Sequence, residues 1–168
     1  MVNRKISTIT LEHIVMTSNR PYEQVIASLE EMMGGSNGDM DELIRQLNAT
    51  KTSWLEASQI IEKQLGKSSF YIFSKIDHGA LLSLAGKPRK AVQYTIGNPL
   101  LAVQMTQHIA AVSLYAPLKL AVYEDNDAKT IITYDSLSSM LSQFHSEEIT
   151  RIAEHVDALL EKLVTAVI

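Results

Sequence analysis

The sequence predicts an α+β domain in which a mainly antiparallel sheet of about five strands carries helices on one face. Three observations lead there. One strand-like segment opens the chain and is followed by helical sequence, four more strand-like segments occupy residues 70–134, and an amphipathic stripe closes the chain from Ser146 onward. With 168 residues and 46% apolar content, the chain can bury a substantial core, so residues 1–168 are expected to form a single domain.

Thr8 to Met16 alternates with apolar groups on both sides, which predicts an interior strand. Pro21 suits a first helical turn, and Val25, Ile26, Leu29, Met32 and Met33 repeat at helical spacing until Gly34-Gly35. Gly34-Gly35-Ser36-Asn37-Gly38 is the most flexible sequence in the chain. A short helix follows over about Met40 to Leu47. Ser53-Trp54-Leu55-Glu56 then fits a capping box, and Gly66 supplies the stop, so residues 34–66 read as a helical insertion.

Phe70 to Ile76 and Lys90 to Ile96 have the aromatic and β-branched content of strands, with at most one helical turn, Ala80 to Leu84, between them. Leu118 to Glu124 and Thr130 to Tyr134 form a hairpin about the polar loop Asp125-Asn126-Asp127-Ala128-Lys129. From Ser146, the residues Ile149, Ile152, Val156, Leu159, Leu160, Leu163 and Val167 define a long C-terminal helix over 146–168. Glu147 and Glu148 lie at its positive N-terminal end.

Composition excludes several classes of function. The 19 acidic against 15 basic side chains give a net charge of −4, which argues against a nucleic-acid partner. The chain has no cysteine, which removes disulfides, thiolate nucleophiles and thiolate-bound metals. The mixed start Met1 to Ser7 is not followed by a secretory apolar segment, and the run Leu100 to Ala116 is broken by Gln104, Gln107 and His108. The expectation is a cytoplasmic protein without a membrane partner.

The chemistry-bearing residues concentrate between Ile76 and Asp125. Asp77-His78 follows a strand end, where the carboxylate either orients the imidazole as a general base or simply accepts backbone N–H groups in a turn. His108 closes the run Met105-Thr106-Gln107-His108 and is expected near His78, because the strands flanking these loops should be neighbours. Asp77, His78 and His108 are therefore the candidate catalytic residues. Their spacing is not diagnostic of a metal, and neither a metal nor a cofactor is predicted.

Gly97-Asn98-Pro99 ends a strand and starts a helix, with Asn98 as cap and Pro99 in the first turn; the exposed N–H groups of such an end also suit an anion. Lys119 and Tyr123 share one strand face, and Gln93 and Thr95 share another, offering either a polar pocket wall or a contact surface. Asn98, Lys119, Gln93 and Tyr123 are the candidate ligand-binding residues. Lys87-Pro88-Arg89-Lys90 is a basic loop, read as either solvated or anion-attracting. Gly66-Lys67-Ser68 has Ile61 where a phosphate loop needs glycine, and Asp125-Asn126-Asp127 lacks the later glycine and glutamate of a calcium loop.

Ile76-Asp77-His78, Gly97-Asn98-Pro99, Pro117-Leu118-Lys119 and Val122-Tyr123-Glu124-Asp125, in this order, resemble the DUF302 family pattern. Leu11 to Val15 followed by Arg20-Pro21-Tyr22-Glu23 is similar to the family's opening strand and helix, and the run Met105 to His108 to a longer branch with added helices. The resemblance implies a TBP-like β-α-β4-α topology, often assembled as a dimer, and no established activity, cofactor or catalytic residue.

Three functions remain open. The first is binding of a small polar or anionic molecule in a pocket of strand-end loops lined by Asp77, His78, Asn98, His108 and Lys119. The second is acid–base catalysis of lyase, isomerase or cyclase type using His78 or His108. The third is a homodimeric interaction module without a ligand.

Overall fold

The structure, a computed structural model, describes residues 2–35 and 39–168. Ser36, Asn37 and Gly38 of the glycine-rich segment lie outside the described residues. Five strands, β1 (His13–Ser18), β2 (Tyr71–Asp77), β3 (Ala91–Gly97), β4 (Leu118–Glu124) and β5 (Thr130–Asp135), form one sheet. Their order is β1-β5-β4-β3-β2 and every neighbouring pair is antiparallel.

The helices are α1 (Tyr22–Met32), α2 (Met40–Ala49), α3 (Trp54–Glu62), α4 (His78–Leu84), α5 (Pro99–Thr106), α6 (Leu137–Leu141) and α7 (Glu147–Val167), with a short 3-10 turn at Ala110–Leu114. Most are started by side chains that accept orphan N–H groups: Asp39, Ser53, Asp77, Asn98, Ser136 and Ser146 cap α2 to α7 in turn.

Period-2 alternation sets the core. Val92, Tyr94 and Ile96 of β3, Leu118, Leu120 and Val122 of β4, and Ile132 and Tyr134 of β5 face α1 and α7 and are buried with Val25, Leu29, Ile149, Ala153, Val156, Leu160 and Leu163. The opposite sheet face bears His13, Val15, Thr133, Asp135, Lys119, Ala121, Tyr123, Gln93 and Thr95, all exposed or half-buried. A smaller cluster, Met40, Ile61 and Tyr71 with Ile44, Phe73 and Leu100, packs the inserted helices α2 and α3 over the start of β2.

Two glycines fix that insertion. Gly34 and Gly66 both donate their N–H to the Phe70 carbonyl, at 2.8 and 3.0 Å. A Cβ on Gly34 would lie 1.9 Å from the Gln64 carbonyl oxygen, and one on Gly66 2.3 Å from that of Met32. The chain ends of α1 and α3 therefore cross at a distance only glycine permits.

The structure departs from the sequence expectation in three places. β1 starts at His13 rather than Thr8 and is an edge strand rather than an interior one, because β5 ends at Asp135, the partner of His13, and leaves the preceding residues without a ladder. α4 spans seven residues from His78, longer than the single turn expected from Ala80, because Asp77 caps it. α6 was not expected; its cap is completed by Asp157 of α7, which accepts from Ser136 Oγ at 2.9 Å, Leu137 N at 2.7 Å and Ser138 N at 3.0 Å.

Candidate functional site

The antiparallel register separates the expected catalytic group. Asp77 pairs with Val92 at one end of the β2–β3 ladder, and Tyr71 pairs with Gly97 at the other. Asp77 and His78 thus leave the sheet at one end, while Asn98, α5 and His108 follow from the opposite end, about 20 Å away at roughly 3.3 Å per strand residue. His78 and His108 do not converge: neighbouring strands bring their loops together only when the loops share an end.

At the first end, Asp77 Oδ1 accepts the Ala80 N–H at 2.8 Å. No ion pair or hydrogen bond joins Asp77 to His78 among the described residues. Gly79 lets α4 approach the next strand, since a Cβ there would lie 2.5 Å from the Arg89 carbonyl oxygen. The basic loop is also engaged: Arg89 donates to Asn126 Oδ1, and Lys90 bridges Glu23 at 2.8 Å and Glu124 at 3.1 Å. Lys90 is held charged above its ordinary pKa by these two carboxylates, and Glu23 is held below its own mainly by Lys90.

Deeper at this end, Glu30 of α1 accepts from Tyr94 Oη at 2.5 Å and from Lys75 Nζ at 2.6 Å. Burial alone would raise the Glu30 pKa, but the bonds from Lys75 and Tyr94 outweigh it and the net direction is down. Burial, then the Glu30 bond and charge, push Tyr94 strongly up. This network ties α1 to β2 and β3 and leaves no group free for chemistry.

At the second end, Asn98 is engaged through both its amide oxygen and its amide nitrogen. Its Oδ1 accepts from Leu100 N at 2.9 Å and Leu101 N at 3.2 Å, and its Nδ2 donates to the Ser69 carbonyl at 3.0 Å. It lines a recess of about 260 Å³ beneath α5 with Ile44, Phe73, Leu101, Met105 and Pro117. The other polar side chain in that wall, Thr106, donates its hydroxyl to the Ala102 carbonyl. His108 lies outside the recess, with Nδ1 3.5 Å from Glu148 of α7.

Three of the expected ligand-binding residues are on the open sheet face. Lys119 pairs with Thr95 and Gln93 with Ala121, so Lys119, Gln93 and Tyr123 share this face. Lys119 lines a cleft of about 190 Å³ where β4 begins and β5 ends, walled by Leu114, Tyr115, Pro117, Leu118, Asp135 and Met140. Lys119 immediately precedes, and Asp135 immediately follows, the Leu120–Tyr134 pair of the β4–β5 ladder. Among the described residues Lys119 forms no ion pair. The Tyr115 hydroxyl accepts from Gln143 Nε2 at 2.8 Å, which leaves its own O–H as a donor.

Asp135 connects this cleft to a residue that sequence reasoning missed. Its Oδ1 lies 2.6 Å from His13 Nδ1, and His13 Nε2 lies 2.9 Å from Thr133 Oγ1. Thr133 in turn donates to the Ile14 carbonyl at 2.8 Å. The arrangement is a carboxylate, an imidazole and a hydroxyl in series across β1 and β5. Period-2 alternation put His13 on a strand face, but no local signal identified a partner 122 positions away. Among the described residues no group of three or more histidines or carboxylates is arranged to hold a metal, and no helix is long and apolar enough to cross a membrane.

The comparisons with known proteins agree with this architecture. No curated protein matches the chain. The crystal structure of an uncharacterized conserved DUF302 protein from Bacillus stearothermophilus superimposes with a TM-score of 0.63 at 16% identity, covering 91% of this chain and 95% of that one. At that identity the likeness shows the fold. The family described as Domain of unknown function DUF302 matches residues 46–167, well over half the chain and from within α2 to the end of α7. This chain therefore belongs to the DUF302 family.

Proposed function

We propose that the protein binds a small polar or anionic molecule in the strand-end cleft around Lys119. The observation that carries this reading is the Lys119 ammonium, which forms no ion pair among the described residues, in a concave site of about 190 Å³ whose wall also includes Tyr115. That volume lies below the roughly 300–1,000 Å³ of pockets for drug-sized ligands, which fits a small metabolite. The 260 Å³ recess beneath α5 supports a polar ligand less well, because the polar side chains in its wall are already bonded.

Amide chemical-shift mapping against a panel of small carboxylates and phosphates tests the proposal. Shifts should cluster at Tyr115, Lys119 and Met140 and vanish in Lys119→Gln. A panel that shifts nothing around the cleft, or binding that survives Lys119→Gln unchanged, rejects it.

Acid–base catalysis is the second reading. It is favoured by the series Asp135, His13 and Thr133 rather than by His78 or His108, because a base must be oriented by a neighbouring group. A homodimer joined through the open sheet face is a further proposal. Val15 and Ile76, at the two opposite edges of that face, are 54% and 48% exposed, and a second copy laid across the sheet would cover both. Sedimentation of the full chain tests it; a strict monomer at high concentration rejects it.

A further inference from the structure

Resting on that reading of the Lys119 cleft, we propose that its ligand is a zwitterion of the α-amino-acid type with an apolar side chain. The inference comes from the two charges of the cleft and what each still lacks. Lys119 supplies a cation with no carboxylate partner among the described residues, and Tyr115 supplies a hydroxyl proton because its oxygen already accepts from Gln143. Together they offer a carboxylate a charge-assisted contact and a second hydrogen bond.

Asp135 supplies the opposite charge in the same cleft. His13 engages its Oδ1, and Oδ2 has no partner among the described residues. A ligand bearing only a carboxylate would meet Lys119 favourably and Asp135 unfavourably. One bearing an ammonium beside its carboxylate satisfies both, because Lys119 and Asp135 lie on the same side of the Leu120–Tyr134 pair, opposite one another across β4 and β5, and form no ion pair with each other among the described residues.

The remainder of the wall is apolar: Leu114, Pro117, Leu118 and Met140. Leu114 is 79% exposed at the rim, where its side chain is open to apolar contact with a bound molecule. A branched or thioether side chain projecting from the ligand would make that contact. A cleft of about 190 Å³ suits a group the size of a free amino acid.

The experiment is a titration of the full chain, followed by amide shifts at Lys119, Ser136 and Met140, with L-leucine, 4-methylpentanoate and 3-methylbutylamine as probes. These share the isobutyl side chain of leucine and differ in charge. L-leucine should bind at least tenfold more tightly than either singly charged probe. Asp135→Asn, which keeps an acceptor for His13, should abolish that advantage while leaving the affinity for 4-methylpentanoate unchanged or improved. If 4-methylpentanoate binds as tightly as L-leucine, the zwitterion inference is overturned and the anion reading stands. If neither binds, both are overturned.

Discussion

His13 and Asp135 stand 122 residues apart in the chain and 2.6 Å apart in the fold, joined across the β1–β5 ladder. Thr133 donates to the Ile14 carbonyl, so its oxygen is left to accept from His13 Nε2–H. The other ring nitrogen, Nδ1, faces Asp135 Oδ1, so the ring is held at both nitrogens between β1 and β5. Both partners are half-exposed, 56% and 41%, so the pair is worth no more than about 0.5–1 kcal/mol. His13→Ala should lower stability by that amount and speed amide exchange along His13–Ser18 while β4 stays protected. Equal exchange rates in β1 before and after substitution would show that the pair does not hold the edge strand.

Glu30 gives the fold a pH dependence whose sign follows from its partners. Its folded pKa lies below the ordinary 4.5, because the bonds from Lys75 and Tyr94 prevail over burial. The stabilisation is therefore present above about pH 4.5 and is lost as pH falls through the lower folded value. Tyr94 acts in the opposite range: its folded pKa is raised above 10.0 by burial and by Glu30, so its contribution is complete below pH 10 and declines as pH rises beyond it. Melting temperature against pH should bend downward on both sides. In Glu30→Gln the acid bend should shrink, and in Tyr94→Phe the alkaline bend, with about 1 kcal/mol lost at neutral pH for the missing hydrogen bond.

Gly66 and Gly86 separate crowding from backbone strain. Gly66→Ala forces a methyl group to within 2.3 Å of the Met32 carbonyl oxygen, where the backbone on both sides must shift. A loss of more than about 3 kcal/mol, or failure to fold, is expected. Gly86 has φ +71° but open space around it, so Gly86→Ala should lose only about 1–2 kcal/mol from the left-handed conformation. Urea unfolding midpoints of the two variants provide the comparison, and equal midpoints would contradict the crowding argument.

What the sequence made legible was what depends on neighbours within a turn or a strand. β4 was read to its observed limits because Leu118, Leu120 and Val122 alternate with Lys119 and Tyr123, and α7 because its stripe repeats over 21 residues. The shared face of Lys119, Gln93 and Tyr123 followed from the same alternation. What escaped depended on register and on distant partners. Convergence of His78 with His108 required their loops to share a sheet end, which antiparallel pairing of β2 with β3 forbids. Pairing of His13 with Asp135 required β1 to lie beside β5, a choice made by the whole sheet. β1 was expected to begin at Thr8, since strand character persists in residues 8–12 where no ladder partner exists. α6 was invisible because its five residues lack a periodic stripe and owe their cap to α7.

That cap yields the last prediction, because it connects core packing to the cleft. Asp157 projects from α7 and receives three hydrogen bonds, two from the backbone N–H groups of Leu137 and Ser138 and one from the Ser136 hydroxyl. They occupy the first turn of α6, where a negative charge also complements the helix end. Asp157→Ala removes the acceptor and leaves partly buried donors unpaired, so a loss of about 1–3 kcal/mol is expected. The effect should extend beyond stability. Met140 of α6 forms one wall of the Lys119 cleft, and Asp135 lies just before the capped turn. Loosening α6 should therefore weaken ligand binding at Lys119 more than Gly86→Ala does, although Gly86→Ala lowers stability by a similar amount. Comparing the two variants at a temperature where both are fully folded separates local support of the cleft from general destabilisation; equal affinities would show that α6 does not hold the cleft in shape.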